Sequence, residues 1–365
     1  MNIRLSIDAA SGAKVPARIA AEGGIMTATA LKYSPAATLE DSYPTELTGV
    51  LPREAVVALA EKELAQWLAK QPKSKAMTER AMRSSPFGVL GNHQKDWNNM
   101  AQNIYSSRSY GNKFWDLDGN EYLDLSLGDT PDMYGHGDLN PAIRAAAQVM
   151  LENGLNTMAC NEDGVRCTEL LAERFGLPCW MANLSASDSN RAVLSIARQF
   201  TGRNAIAIPN FTYHGNLEDT QYLKVAQDEV ARFHDMNIYQ TKAYNGHTRV
   251  FDYNDLASLE AILKGGEVAV VMMEPVMSNF GWAWPHDDFN KKAYELCVKY
   301  GTLLSYDETH TLSAGPRGMC GELKLAGHYD FWTCGKAIAS GVPTGVFGMR
   351  DDIARELNRQ TEACG

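Results

Sequence analysis

The chain has 365 residues, 45% of them hydrophobic and 21% charged, with a formal charge of −10, enough for about two domains and a sizeable core. That charge opposes a phosphate backbone, and no basic stripe interleaved with aromatics offsets it, so nucleic acid is not expected as a partner. The longest strongly apolar run, Val268–Met273, is too short to cross a bilayer, and seven scattered cysteines without a C-x-x-C pair suit reduced thiols, so a cytoplasmic protein with no metal site and no membrane span is expected.

Residues 1 to about 50 are rich in Ala, Ser, Thr, Gly and Pro without a sustained period and read as a loose extension. Pro52 opens a helix with Val56, Ala60, Leu64, Trp67 and Leu68 on one face, and Gln71-Pro72 ends it. A second helix is predicted over 74–82. Residues 113–125 alternate apolar and polar side chains about Asp118-Gly119-Asn120, a hairpin signal. Its acids do not form a calcium loop, because Gly119 directly follows the second acid and the distal glutamate is missing. Asn140 as N-cap, Pro141 and Gly154 frame the next helix.

From there short apolar runs at 180–184, 205–208, 268–273, 302–306 and 346–349 are interspersed with helical patterns at 188–200, 255–264 and 288–300. This spacing predicts an α/β fold, a mainly parallel central sheet with helices on both faces. Ligands of such sheets bind beyond the carboxyl ends of the strands. The residues after each run are therefore the candidates.

After 180–184 stand Ser185, Ala186 and Ser187 at a helix start; they cap the helix, and the same N–H groups and dipole suit a phosphate. After 205–208 come Tyr213 and His214, and after 268–273 comes Glu274, for which a loop cap and a functional role are equally good readings. Asp307 ends the run 302–306, and an acid there is costly unless a cation or donors meet it. Lys336 follows Gly335 and leads into small and apolar residues, the setting of a desolvated, nucleophilic amine, although a snorkelling lysine is the commoner case.

Asp307-Glu308-Thr309-His310-Thr311, the stretch from Asp330 to Lys336, and Gly341-Val342-Pro343-Thr344-Gly345 together resemble the signature of the class III pyridoxal-phosphate aminotransferases, nearest the glutamate-1-semialdehyde aminomutase branch. Gly135-His136, Thr201-Gly202-Arg203, Tyr213-His214-Gly215 and Glu274-Pro275-Val276 add matches in the same order, and the resemblance runs from about residue 74 to 350.

The resemblance implies a fold-type I transferase that uses pyridoxal 5′-phosphate. Lys336 would hold the cofactor as an imine and then shuttle a proton. Asp307 would pair with the pyridine nitrogen. Ser185, Ala186 and Ser187 would take the phosphate, Tyr213 and Thr309 would lie against the two ring faces, and Glu274 would belong to the cofactor site. A small-molecule amino donor, a keto or aldehyde acceptor and a homodimer are implied as partners. Arg83, Arg108 and Arg317 are candidates for a substrate carboxylate, with a surface role the plainer reading of each. Two departures stand out: Ala186 replaces the glycine usual in the phosphate loop, and Thr309 replaces a valine or isoleucine. The family continues well past the point where this chain stops, so the small C-terminal domain is expected to be missing or truncated.

The expected organisation is an extension with one helix at 1–73, a hairpin segment at 74–135, the large cofactor domain at 136–345, and the start of a truncated domain at 346–365. Aminotransfer is the leading expectation, with an aminomutase or racemase on the same scaffold as one alternative and a non-catalytic protein of this fold as another.

Overall fold

The computed structural model describes residues 52–85, 88–90, 103–137, 141–154, 159–226, 229–232, 246–279 and 281–364. The loose extension and the Asn140 cap lie outside the described residues. Two units divide the chain, one ending at Asp124 and the other beginning at Leu125.

The first unit contains helices α1 (Arg53–Ala69) and α2 (Pro72–Ala81) and an antiparallel sheet of β1 (Ser106–Tyr110), β2 (Lys113–Asp116) and β3 (Glu121–Leu123). Pro52 is the residue before α1 rather than its first, and Leu68 on the expected packing face is exposed. The β2–β3 hairpin forms about the predicted turn, in the register Lys113↔Leu123. Its acids satisfy backbone donors. Asp116 Oδ1 accepts from the N–H groups of Asp118 at 2.9 Å and Asn120 at 2.8 Å. The Asp118 carboxylate accepts from Lys73 N at 2.7 Å and Ser74 N at 3.0 Å, capping α2.

The second unit opens with α3 (Pro141–Asn153) and α4 (Glu162–Phe175) and is built on a seven-stranded sheet. Its strands are β4 (Cys179–Asn183), β5 (Ala205–Pro209), β8 (Thr248–Phe251), β9 (Val268–Met273), β10 (Leu303–Asp307), β11 (Phe331–Cys334) and β12 (Gly345–Met349). The order is β4-β12-β11-β10-β9-β5-β8. A separate hairpin pairs β6 (Tyr222–Ala226) with β7 (Glu229–Arg232). Five predicted runs are strands of the sheet; β8 and β11 are additional, short strands of four residues each. β12 is antiparallel to both neighbours and the other pairings are parallel, so six of the seven strands end at one edge. The boundary expected at 345/346 falls inside β12.

Side chains alternate across the sheet. Ala205, Ala207, Leu304, Tyr306, Trp332 and Cys334 join the core beneath α4, α6 (Leu256–Leu263) and α7 (Phe289–Tyr300). Ile206, Ile208, Leu303, Phe331 and Phe347 join the core under α5 (Ala186–Thr201) and α9 (Asp351–Cys364). Both faces are thus covered, as the near-continuous apolar strands require. Asp255 caps α6, its carboxylate accepting from the N–H groups of Ala257 and Ser258 at 3.0 Å each.

On the first of these faces Trp180 and Trp332 meet edge to face with centroids 5.6 Å apart, and Phe175 stacks on Trp332 at 4.3 Å. The backbone of β12 passes directly against Trp180: a Cβ on Gly348 would lie 2.8 Å from the indole ring. Trp180 cannot yield easily, because its Nε1 donates to Leu177 O at 2.7 Å. Gly348→Ala is therefore expected to destabilise the chain by about 1–3 kcal/mol through overpacking; an unchanged urea midpoint would contradict this packing.

Candidate active site

Five loops leave the common strand edge carrying polar side chains. Ser185 follows β4, residues 211–215 follow β5, Glu274 follows β9, Asp307 is the last residue of β10, and Lys336 follows β11. Parity along β10 decides where Asp307 points. Leu303 belongs to the α5 side of the sheet, so Ser305 and Asp307 face α5 as well.

Asn190 of α5 meets Asp307 there. Its amide nitrogen donates to Asp307 Oδ2 at 2.7 Å and to His214 O at 3.1 Å, while its oxygen accepts from Thr333 Oγ1 at 2.7 Å. His214 Nδ1 lies 3.0 Å from the same Oδ2, and its Nε2 lies 2.9 Å from Thr212 Oγ1. Asp307 Oδ1 accepts from Thr309 N at 3.0 Å and from Thr309 Oγ1 at 2.6 Å. Burial, which leaves Asp307 4% exposed, pushes its carboxyl up. The hydrogen bond and charge of His214, with the Thr309 donors, outweigh it and hold the group down at about 2. The cation or donors expected around this acid prove to be the donors of Asn190, His214 and Thr309, while the Lys336 amine is bonded to Asp129 and His310. Asn190 escaped the sequence reading, although a lone amide among Val193, Leu194 and Ala197 on the buried stripe of α5 was a visible signal.

Ser185 is the N-cap of α5. Its Oγ accepts from Asp188 N at 3.1 Å and donates to Asp188 Oδ2 at 2.8 Å. Ser187 Oγ accepts from Asn216 N at 3.0 Å, which ties the loop after β5 to the helix start. Ala186 and Ser187 open the helix, where N–H groups have no intrahelical acceptor. The end of β11 closes onto this turn. A Cβ on Gly335 would come within 2.8 Å of the Ala186 methyl, and one on Gly345 within 2.1 Å of Ser185 O. The glycine missing at 186 is matched by glycines opposite it.

Lys336 adopts φ +48°, an unusual conformation for a side-chain-bearing residue. Its side chain is 20% exposed, and its surroundings are not the apolar ones expected. Nζ is paired with the Asp129 carboxylate and hydrogen-bonded to His310 Nε2. Chain neighbours misled here because the side chain leaves the strand end toward loops remote in sequence. Behind His310, Nδ1 lies 2.6 Å from Ser278 Oγ, and that hydroxyl donates to Glu274 Oε2 at 2.5 Å. Glu274 is 2% exposed and accepts a second bond from Ser278 N at 3.2 Å. Glu274 thus stands behind His310, linked to it through Ser278 and with its Oε2 3.7 Å from Nδ1. Asp129, Ser278 and His310 were not singled out from sequence.

Tyr213 is half-buried beside His214, in the loop after β5. Arg317 is exposed on the second unit. Arg83 and Arg108 belong to the first unit, where both are exposed and Arg108 lies 3.9 Å over the Trp115 ring. Among the described residues no cluster of His, Cys, Asp and Glu is set to hold a metal ion, and no helix is long and apolar enough to cross a membrane.

The lowered carboxyl of Asp307 gives a signed pH dependence. Its group titrates at an ordinary 3.8 when unfolded and at about 2 when folded, so its stabilisation is complete above about pH 4 and is lost as pH falls toward 2. In the cofactor-free chain, the stability gap between wild type and Asp307→Asn should reach about 2 kcal/mol at neutral pH and shrink across that window. Urea titrations at several pH values measure it; a gap independent of pH would contradict the ionised state.

A model of the family "Aminotransferase class-III" matches residues 94–363. The glutamate-1-semialdehyde 2,1-aminomutase of Anaeromyxobacter sp. (strain K) is 32% identical over 258 residues, 68% of this chain and 58% of that protein. A crystal structure of a glutamate-1-semialdehyde aminomutase from Pseudomonas aeruginosa PAO1 superposes with a TM-score of 0.76 at 32% identity, covering 81% of this chain and 64% of that one. The β-phenylalanine aminotransferase of Variovorax paradoxus gives 0.70 at 26% identity, with the same two coverages of 81% and 64%. The chain thus spans less than two thirds of the length of these relatives. From the matched signature and the shared strand-edge architecture, the chain belongs to the class III aminotransferases, pyridoxal-phosphate enzymes of fold type I.

Proposed function

We propose that this chain carries pyridoxal 5′-phosphate on Lys336 and moves an amino group from an amino acid or amine donor to a keto or aldehyde acceptor. The observation that carries this reading is the convergence of the Lys336 amine, the buried charged Asp307 and the open first turn of α5 at one sheet edge. The residues suit the group. The N–H groups of Ala186 and Ser187 and the Ser187 hydroxyl form an anion-binding helix start, with Ser185 fixing the turn through Asp188.

When bound, the cofactor supplies an electron sink for the bond breaking at the substrate carbon. Asp307, ionised at neutral pH, offers an acceptor to a ring N–H. Of its four donors, the Thr309 hydroxyl is the one that a single-bond rotation can withdraw to make room. Asn190 and His214 keep the carboxylate from turning away. Tyr213 and Thr309 are assigned to the two sides of the ring, and Glu274 to the support of the Lys336 surroundings. Lys336, once released from the cofactor, takes and returns the substrate proton at Nζ. A cytoplasmic homodimer acting on small molecules completes the reading by family.

A second reading has its own support. The curated relatives at 32% identity are aminomutases, and the same residues could return the amino group to a neighbouring carbon of one substrate.

The chain mixed with pyridoxal 5′-phosphate should develop a visible absorption band that borohydride fixes to Lys336, and Lys336→Ala should lose the band and at least about a hundredfold in turnover. A band retained in the variant would remove the assignment. Consumption of an added keto acid separates aminotransfer from the aminomutase reading.

A further inference from the structure

The hydrogen-bond chain behind Lys336 has a direction. Ser278 Oγ donates to Glu274 Oε2 at 2.5 Å, so the hydroxyl hydrogen of Ser278 goes to Glu274. Ser278 Oγ is left with lone pairs toward His310, whose Nδ1 stands 2.6 Å away and must therefore carry the ring hydrogen. In the neutral ring Nε2 is then bare, and Nε2 is the atom that faces Lys336 Nζ. The other oxygen of Glu274, Oε1, is buried with no hydrogen-bond partner among the described residues. A buried acid so poorly satisfied by neutral donors gains when positive charge arrives on the neighbouring ring; its Oε2 is 3.7 Å from Nδ1.

We propose that His310 is a proton acceptor for the Lys336 amine, with Ser278 and Glu274 as the positioning residues that fix its tautomer and hold its charge. The inference rests on the assignment of Lys336 as the reactive amine. In the step, an Nζ–H bond of the ammonium breaks and an Nε2–H bond forms. Positive charge passes from Lys336 to the imidazole, no electrons are exchanged, and the lone pair of Nζ becomes available. Asp129, Glu274 and Asp307 are nearby acids among the described residues. The Asp129 carboxylate pairs with Nζ, so His310 and Asp129 both contact the amine. The Glu274 carboxylate stands 3.7 Å from the ring at Nδ1. Asp307, three residues before His310, is committed to Asn190, His214 and Thr309. Lys336 is thus held between a group that stores its proton and one that can remove it.

Two measurements on the full chain test this. First, capture of pyridoxal 5′-phosphate by the cofactor-free protein is followed by stopped-flow absorbance against pH, with the attachment site read by mass spectrometry after borohydride. His310→Gln, which keeps a polar side chain of similar reach but cannot carry the proton, should slow capture at least about tenfold at neutral pH. It should converge on the wild-type rate in strongly alkaline solution, where an amine needs no base. A ratio constant across pH, or equal rates, with the label on Lys336 overturns this inference alone. A label on a different lysine overturns the proposed function and this inference with it. Second, side-chain 15N spectra of the cofactor-free wild type should place the His310 proton on Nδ1, and Ser278→Ala should shift it toward Nε2. A wild-type ring protonated on Nε2 alone overturns the proposal whether or not the variants fold.

Discussion

An ionised carboxylate taken out of water costs several kcal/mol unless donors surround it, and at Asp307 two of the four donors come from distant parts of the chain. Asn190 arrives on α5, His214 on the loop after β5 and Thr309 on the loop after β10, while Thr333 on β11 holds the Asn190 amide in orientation. Satisfying one acid therefore fixes a helix, two loops and two adjacent strands relative to one another. The same contacts determine where the first turn of α5 opens and where β11 delivers Lys336. The site is a by-product of solving a desolvation problem.

Much of this framework was legible in the sequence for physical reasons. Runs such as Val268–Met273 are apolar on both faces because both faces are covered, and that doubling separates them from the alternating hairpin of the first unit. The helical patterns at 255–264 and 288–300 marked α6 and α7 to within a residue, and at Asp255 the side chain caps the helix it opens. β8 escaped notice because its four residues include Arg249 and carry little period. β11 was taken for site sequence alone, yet Phe331 and Trp332 are core residues, one on each face. What local pattern could not give was which loops meet. Asp129 and Ser278 join the site only through three-dimensional closure, and nothing in their flanking residues marks them.

Lys336 and Glu274 show how such closure changes chemistry. From its chain neighbours the lysine read as an amine in apolar company, whereas its amine is flanked by a carboxylate and an imidazole. Polar partners can be exchanged during a reaction, while apolar ones only resist charge. Glu274 read equally well as a loop cap or as a site residue, and it has features of both: it accepts from the Ser278 backbone four residues on and, through the Ser278 hydroxyl, stands behind His310.

The adjacent acids Asp307 and Glu308 make the sharpest case that environment, more than residue type, assigns roles. Both are almost wholly buried, and in both burial is the largest influence on the carboxyl. Glu308 reaches the opposite side of the chain and is met only by neutral donors: Cys320 N at 2.9 Å, Trp332 Nε1 at 2.9 Å, Thr311 Oγ1 at 3.1 Å and Met319 N at 2.5 Å. Those donors do not fully offset burial, and its carboxyl stays raised. Asp307 has a histidine against it, and that difference carries it below the ordinary carboxylate range. Neutral donors alone seat Glu308, whereas at Asp307 the hydrogen bond and electrostatic influence of His214 are added to them. Glu308 braces α8 (Gly318–Glu322) and Trp332, while Asp307, one residue earlier, faces α5 and the loops at the strand edge.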